Sequence, residues 1–111
     1  MNALANQSLL NCTQNNVALT HEQAKPYLAQ LNAWNIQLVN GEMQIIKRYK
    51  FKNYAQAVAF TNRVAELAGQ ENHHPKISLE WGKVTVSWWT HILGGLFIND
   101  FIMAARCDAI K

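Results

Sequence analysis

The stretch WNIQLVNGEMQIIKRYKF, residues 34–51, governs how the rest of the chain is read. Asn40-Gly41 at its centre is the dipeptide that best tolerates the two positive φ angles of a two-residue type I′ turn. Before it Trp34, Ile36 and Leu38 alternate with other residues; after it Met43, Ile45, Tyr49 and Phe51 do the same, interrupted at Lys47. A period of two on both sides of a tight turn predicts a β-hairpin.

The period changes after Asn53. Ala57, Phe60, Val64, Leu67 and Ala68 make one helical stripe, with Gln56, Arg63 and Glu66 on the other side and Gly69 as a C-terminal stop. The period then returns to two: Ile77, Leu79 and Trp81 alternate with Ser78 and Glu80, and beyond Gly82 Val84, Val86 and Trp88 alternate with Thr85, Ser87 and Trp89. This is a second hairpin. A Gly94-Gly95 loop leads to Asn99, a plausible N-cap for a last helix through about residue 110. Upstream, Thr20 and Gln23 form a capping-box pattern ahead of Ala24, Tyr27, Leu28 and Leu31, with Pro26 predicting a late start or a bend.

Residues 1–18 are Asn- and Gln-rich without periodicity and read as a mobile tail, leaving 19–111 as a single domain. The order α-β-β-α-β-β-α predicts an α+β fold, a four-stranded antiparallel sheet with three helices on one face. So small a sheet leaves an edge that a second copy of the chain would naturally cover.

Half of the 111 residues are hydrophobic and 15% are charged, which suits one globular domain and excludes a disordered chain. Net charge is +3, but the cations are scattered and the densest run, KRYKFK at 47–52, alternates as a strand face would. A solvated face is the first reading, an anion-attracting patch the second and a nucleic-acid site a distant third. Cys12 and Cys107 stand far apart with no zinc-ligand spacing, and neither a disulfide framework nor a metal is expected. With no signal-peptide pattern and no apolar run of about 18 residues, the expectation is a soluble cytoplasmic protein, without a membrane role.

The chemistry concentrates in ENHHPKISLEWGKVTVSWWTH, residues 71–91, which holds three of the four histidines and three of the four tryptophans. Pairing the two strands of the second hairpin brings Trp88 to His91 alongside the His73–Lys76 end, so His73, His74 and His91 converge. Histidine can give and take a proton near neutral pH, and two around one substrate make an acid and a base. Trp88 and Trp89 could wall a flat heterocycle. Taken singly, an exposed histidine is ordinarily surface and a tryptophan pair ordinarily core or interface. Zinc is disfavoured, because adjacent residues in extended chain point to opposite sides.

The spacing His73-His74-Pro75, five residues, Trp81, nine residues, His91, eight residues, Asp100 resembles the signature of the pterin-4a-carbinolamine dehydratase family, and the resemblance runs from Leu19 to the C-terminus. The text EWGKVTVSWWTH and NDFIMAAR is similar to bacterial members associated with phenylalanine hydroxylase. The resemblance implies a cofactor-free and metal-free enzyme that removes water from the 4a-hydroxytetrahydropterin released by aromatic amino acid hydroxylases. It implies proton transfer by His73 and His91, substrate binding by His74 and an orienting role for Asp100, with homodimers or homotetramers as the assembly. Asp100 can also be read as a first-turn residue favoured by a helix dipole. Many members carry an ionisable residue four positions before the first histidine, where this chain has Gly69; Glu71, two positions before, reads either as a partial substitute or as a solvated residue, and is grouped here with Trp88, Trp89 and Asp100 as substrate-binding. The alternative, known for the same fold, is a protein-interaction module acting as a dimerisation cofactor or in assembly, since fold alone does not settle function.

Overall fold

Asn40 and Gly41 take φ angles of 51° and 80°, the two left-handed positions of the expected turn. They join β1 (Asn35–Val39) to β2 (Glu42–Lys50), with Val39 facing Glu42 across the turn. In the computed structural model, which describes residues 3–111, the second hairpin joins β3 (Lys76–Glu80) to β4 (Lys83–Trp88), and the antiparallel sheet runs β1-β2-β4-β3. Three helices lie against one face: α1 (His21–Leu28), α2 (Tyr54–Glu71) and α3 (Ile98–Ile110).

The alternation decides which side chains meet the helices. Ile45, Tyr49, Val84, Val86 and Trp88 are all buried, and β2 and β4 pair them as Ile45 with Trp88 and Tyr49 with Val84. Ala57, Phe60, Val64 and Ala68 of α2 and most of α3 close the core from the other side. Lys47, the interruption in the β2 pattern, lies on this inward face. Its ammonium binds Asp108 of α3 at 2.7 Å, and the same carboxylate accepts from Tyr49 OH at 2.5 Å and Trp34 Nε1 at 3.1 Å. An inward lysine is tolerated because its charge is paired and further bonded.

Four local expectations change. Pro26 does not delay α1, which starts at His21, directly after the N-cap Thr20 of a complete Thr20–Gln23 capping box, and ends two residues past the proline. Gly69 lies inside α2, whose stop is Asn72 in the left-handed region at φ 50°, a conformation asparagine tolerates better than other side-chain-bearing residues. The N-cap of α3 is Phe97, not Asn99. Trp81 occupies the two-residue turn between β3 and β4 and is 69% exposed, because the hairpin turns one residue before the alternation would carry it inward.

Residues 3–12, within the segment expected to be a mobile tail, lie along α3. A 3-10 turn at Ala3–Asn6 buries Leu4 completely, Arg106 donates to the carbonyls of Ala5 and Gln7, and Asn99 bonds Leu10. Asparagine and glutamine content hides this, since the docking uses backbone groups and a few scattered apolar residues, Leu4 with Ala5 and Leu9, rather than a periodic stripe.

Burial pushes the Cys107 thiol up to about 12, so near pH 8 it holds almost no thiolate. Ellman's reagent is therefore expected to titrate one cysteine, Cys12, in the native protein and Cys107 only after denaturation. Two fast-reacting thiols in the native state would show that the packing of α3 opens readily.

Candidate active site

The closing bonds of α2 set the first histidine. Asn72 N–H donates to Gly69 O at 3.4 Å and His73 N–H to Ala68 O at 3.2 Å, the bond pair of a Schellman closure, which carries His73 off the helix end in a fixed direction. Pro75 follows and β3 begins at Lys76. Replacing Asn72 with alanine is expected to cost about 1 kcal/mol, while glycine should cost nothing, because only alanine pays for the left-handed backbone. Equal urea midpoints for the two variants would remove Asn72 as the element that fixes His73.

On the partner strand, Lys76 faces Ser87, so the chain beyond Trp88 runs beside the His-His-Pro segment. Thr90 and Gly95 exchange backbone bonds at 2.8 and 3.4 Å around a 3-10 turn, His91–Leu93, which presents His91 on an exposed loop. His91 thus lies beyond β4, whose last residue is Trp88.

Asp100 joins the two halves. It is fully buried in the first turn of α3, where one carboxylate oxygen accepts from Thr90 Oγ1 and Phe97 N–H, both at 2.9 Å, and the other meets His73 Nε2 at 2.6 Å. It is a first-turn carboxylate, and it bonds His73. Burial raises its pKa above the ordinary 3.8, opposed by the bonds and charge of His73, the Phe97 amide and the Thr90 hydroxyl. The His73 ring also stacks on Trp88, centroids 5.5 Å apart and planes 23° from parallel. The ring is thus held at an edge and on a face.

In front of His73 lies a cavity of about 480 Å³ that His74, His91, Trp89 and Glu71 also line. The volume suits a small bicyclic ligand. Trp88 and Asp100, both expected to touch substrate, stand behind His73 and do not line the cavity. Glu71 does line it, but its carboxylate is 3.4 Å from Arg106 Nη1, so it answers a cation rather than a histidine. Trp81, part of the sequence signature, sits at the far end of the β3–β4 hairpin. Sequence reasoning missed Thr90 as a partner of Asp100 and Leu9 to Cys12 as cavity lining. No periodicity marks either. Among the described residues, no group of three His, Cys, Asp or Glu side chains is placed to hold a metal ion.

Fold and site together define a small α+β protein with a histidine–aspartate pair and two further histidines around one heterocycle-sized cavity. The sequence matches the family model for pterin 4 alpha carbinolamine dehydratase over residues 17–110, and the chain belongs to that family. A Vibrio cholerae relative, provisionally named a pterin-4-alpha-carbinolamine dehydratase, is 52% identical over 89% of this chain and 91% of its own. A Marinobacter nauticus relative with the same provisional name is 47% identical over 99% of both chains. Among solved structures, a Brucella melitensis transcriptional coactivator/pterin dehydratase superposes with a TM-score of 0.75 at 31% identity, covering 84% of this chain and 97% of that one. A pterin dehydratase-like protein described as a RuBisCO assembly factor in the alpha-carboxysome superposes with a TM-score of 0.59 at 29% identity, over 71% and 89%.

Proposed function

We propose that the protein dehydrates a 4a-hydroxytetrahydropterin to the quinonoid dihydropterin and water, with His73 and His91 as the proton handlers. The observation that carries the reading is the bond between His73 and buried Asp100 at the wall of a cavity shared with His74 and His91. With Nε2 engaged by Asp100, Nδ1 is the His73 nitrogen left for substrate. An ionised Asp100 accepts from Nε2–H, keeps the lone pair on Nδ1, and stabilises the imidazolium formed when Nδ1 takes a proton.

His73 then removes the proton from pterin N5, and the N5 electrons form the C4a=N5 double bond as the C4a–O bond breaks. His91 protonates the departing hydroxyl, which leaves as water; one proton is taken and one given. His74 and Trp89 orient the bicycle, and Glu71 acts through its pair with Arg106 rather than as a base. The substrate would come from an aromatic amino acid hydroxylase working in the same cytoplasm. Generating 4a-hydroxytetrahydropterin with phenylalanine hydroxylase and following its decay by absorbance tests the reading. Folded protein that leaves the decay rate unchanged would overturn it.

A second reading, an assembly or regulatory module, draws on the two solved relatives described as a coactivator and an assembly factor. Here it rests on the edge strand β1 and the β3–β4 turn, where Leu38 and Trp81 are 72% and 69% exposed. The two roles use different surfaces and can coexist.

A further inference from the structure

Leu9 to Cys12 line the cavity that His73, His74 and His91 define, although these residues lie outside the 17–110 stretch matched to the family model. Leu10 is held directly, and the residues that lead to it are anchored at further points. Asn99 Nδ2 donates to Leu10 O and Asn99 Oδ1 accepts from Leu10 N–H, both at 2.8 Å. Arg106 anchors the preceding residues through Ala5 O at 3.3 Å and Gln7 O at 2.6 Å, while Leu4 is fully buried. Asn99 is itself 6% exposed and next to Asp100, so the clamp is built on the same helical turn that holds His73. A two-point amide clamp on one backbone residue specifies where that residue sits, which burial of a single leucine would not do.

The residue so placed is apolar and uncovered. Leu10 is 56% exposed and Ile92, beside His91, is 57% exposed; both line the cavity, from opposite segments of the chain. Two large apolar side chains left in water at the mouth of a polar, histidine-bearing cavity are surfaces that a flat bound ring would cover. We propose that the N-terminal segment is a substrate-positioning strap in which Leu10, set by Asn99, packs with Ile92 against the pterin ring. Leu10 is then a binding residue from outside the matched family region, and Asn99 a positioning residue that acts through it. The inference rests on the dehydratase reading for its ligand.

Three variants test it: Leu10→Ala, Asn99→Ala and the pair. Leu10→Ala removes an exposed side chain and leaves the backbone clamp intact, so it should fold normally. The expected result is a rise in KM of about tenfold for Leu10→Ala, because the pterin ring no longer covers the leucine's apolar surface, with kcat within about twofold. Asn99→Ala should raise KM similarly, and the double variant should fall short of the product of the two, because both act through the packing of Leu10 on the ring. A Leu10→Ala KM within about twofold of wild type, or full additivity in the pair, overturns the strap. The dissociation constant of 7,8-dihydrobiopterin, measured on the same variants by equilibrium dialysis, separates the two readings. If wild type fails to turn over but binds this pterin, and Leu10→Ala weakens binding about tenfold, the strap stands and the dehydratase falls. Absent or unchanged pterin binding overturns the strap.

Discussion

His73→Ala is expected to remove a factor of about 10² to 10⁴ from the accelerated decay of 4a-hydroxytetrahydropterin, the span that positioned acid–base groups ordinarily supply. On the proposed mechanism the loss should fall on kcat, because His73 would act when a proton is moving, while the other residues that line the cavity, His74 and Trp89 among them, are left in place to bind the ring. Stability should change by only about 1 kcal/mol. The ring stands at the cavity wall with 17% of its side chain exposed, so water can enter the vacated place and bond Asp100. His91→Ala should lower kcat comparably and leave the urea midpoint unchanged, since His91 lies on an exposed loop. Single-turnover rates and urea unfolding on the same preparations check both. Full activity in either variant would end its assignment as a proton handler, and a large stability loss without a rate loss would make His73 a packing residue.

Asp100 should fail in a different way. Asp100→Ala leaves Thr90 Oγ1–H, Phe97 N–H and the His73 ring without their shared acceptor in a fully buried place, at a cost of about 1–3 kcal/mol for the groups stranded. Asp100→Asn keeps an oxygen for Thr90 and Phe97 but turns an N–H₂ toward His73. Its stability loss should be the smaller, yet its kcat should drop by at least about 10². The amide favours the tautomer with the proton on Nδ1 and cannot stabilise an imidazolium. The asparagine variant therefore separates the two duties of this carboxylate: a stable, slow enzyme is the expected outcome. If it instead turns over like wild type, the bond to His73 is structural only. The raised carboxyl pKa adds a direction in pH. As pH falls, Asp100 takes up its proton sooner than an ordinary aspartate at 3.8, so the ratio of wild-type kcat to that of the asparagine variant should begin to fall above that value.

Both hairpins are legible in the sequence because their signals are local. A type I′ turn needs positive φ at two successive residues, and Asn40-Gly41 accepts it within the dipeptide itself. Side-chain alternation on β2 and β4 is equally local, a consequence of the pleat. The same locality explains the errors. Gly69 reads as a stop, but the helix runs on to Glu71 and ends where Asn72 can turn left-handed. Trp81 reads as the next inward residue, but the turn falls on it. Nothing local marks Lys47 as paired, because its partner Asp108 is 61 residues away.

The order of residues is enough to specify the α+β class, the two hairpins, the capping box on α1 and the convergence of three histidines at one end of the β3–β4 pair. Each of these follows from dihedral preference, periodicity or strand register, which act over a few residues or through one turn. It took the folded chain to put Asp100 and Trp88 behind His73 rather than in the cavity, to pair Glu71 with Arg106, and to bring Leu9 to Cys12 into the lining. Those facts depend on where α3 lands on the sheet and where the N-terminal segment lands on α3. Burial and long-range hydrogen bonds set that placement, and neither leaves a repeating pattern in the chain.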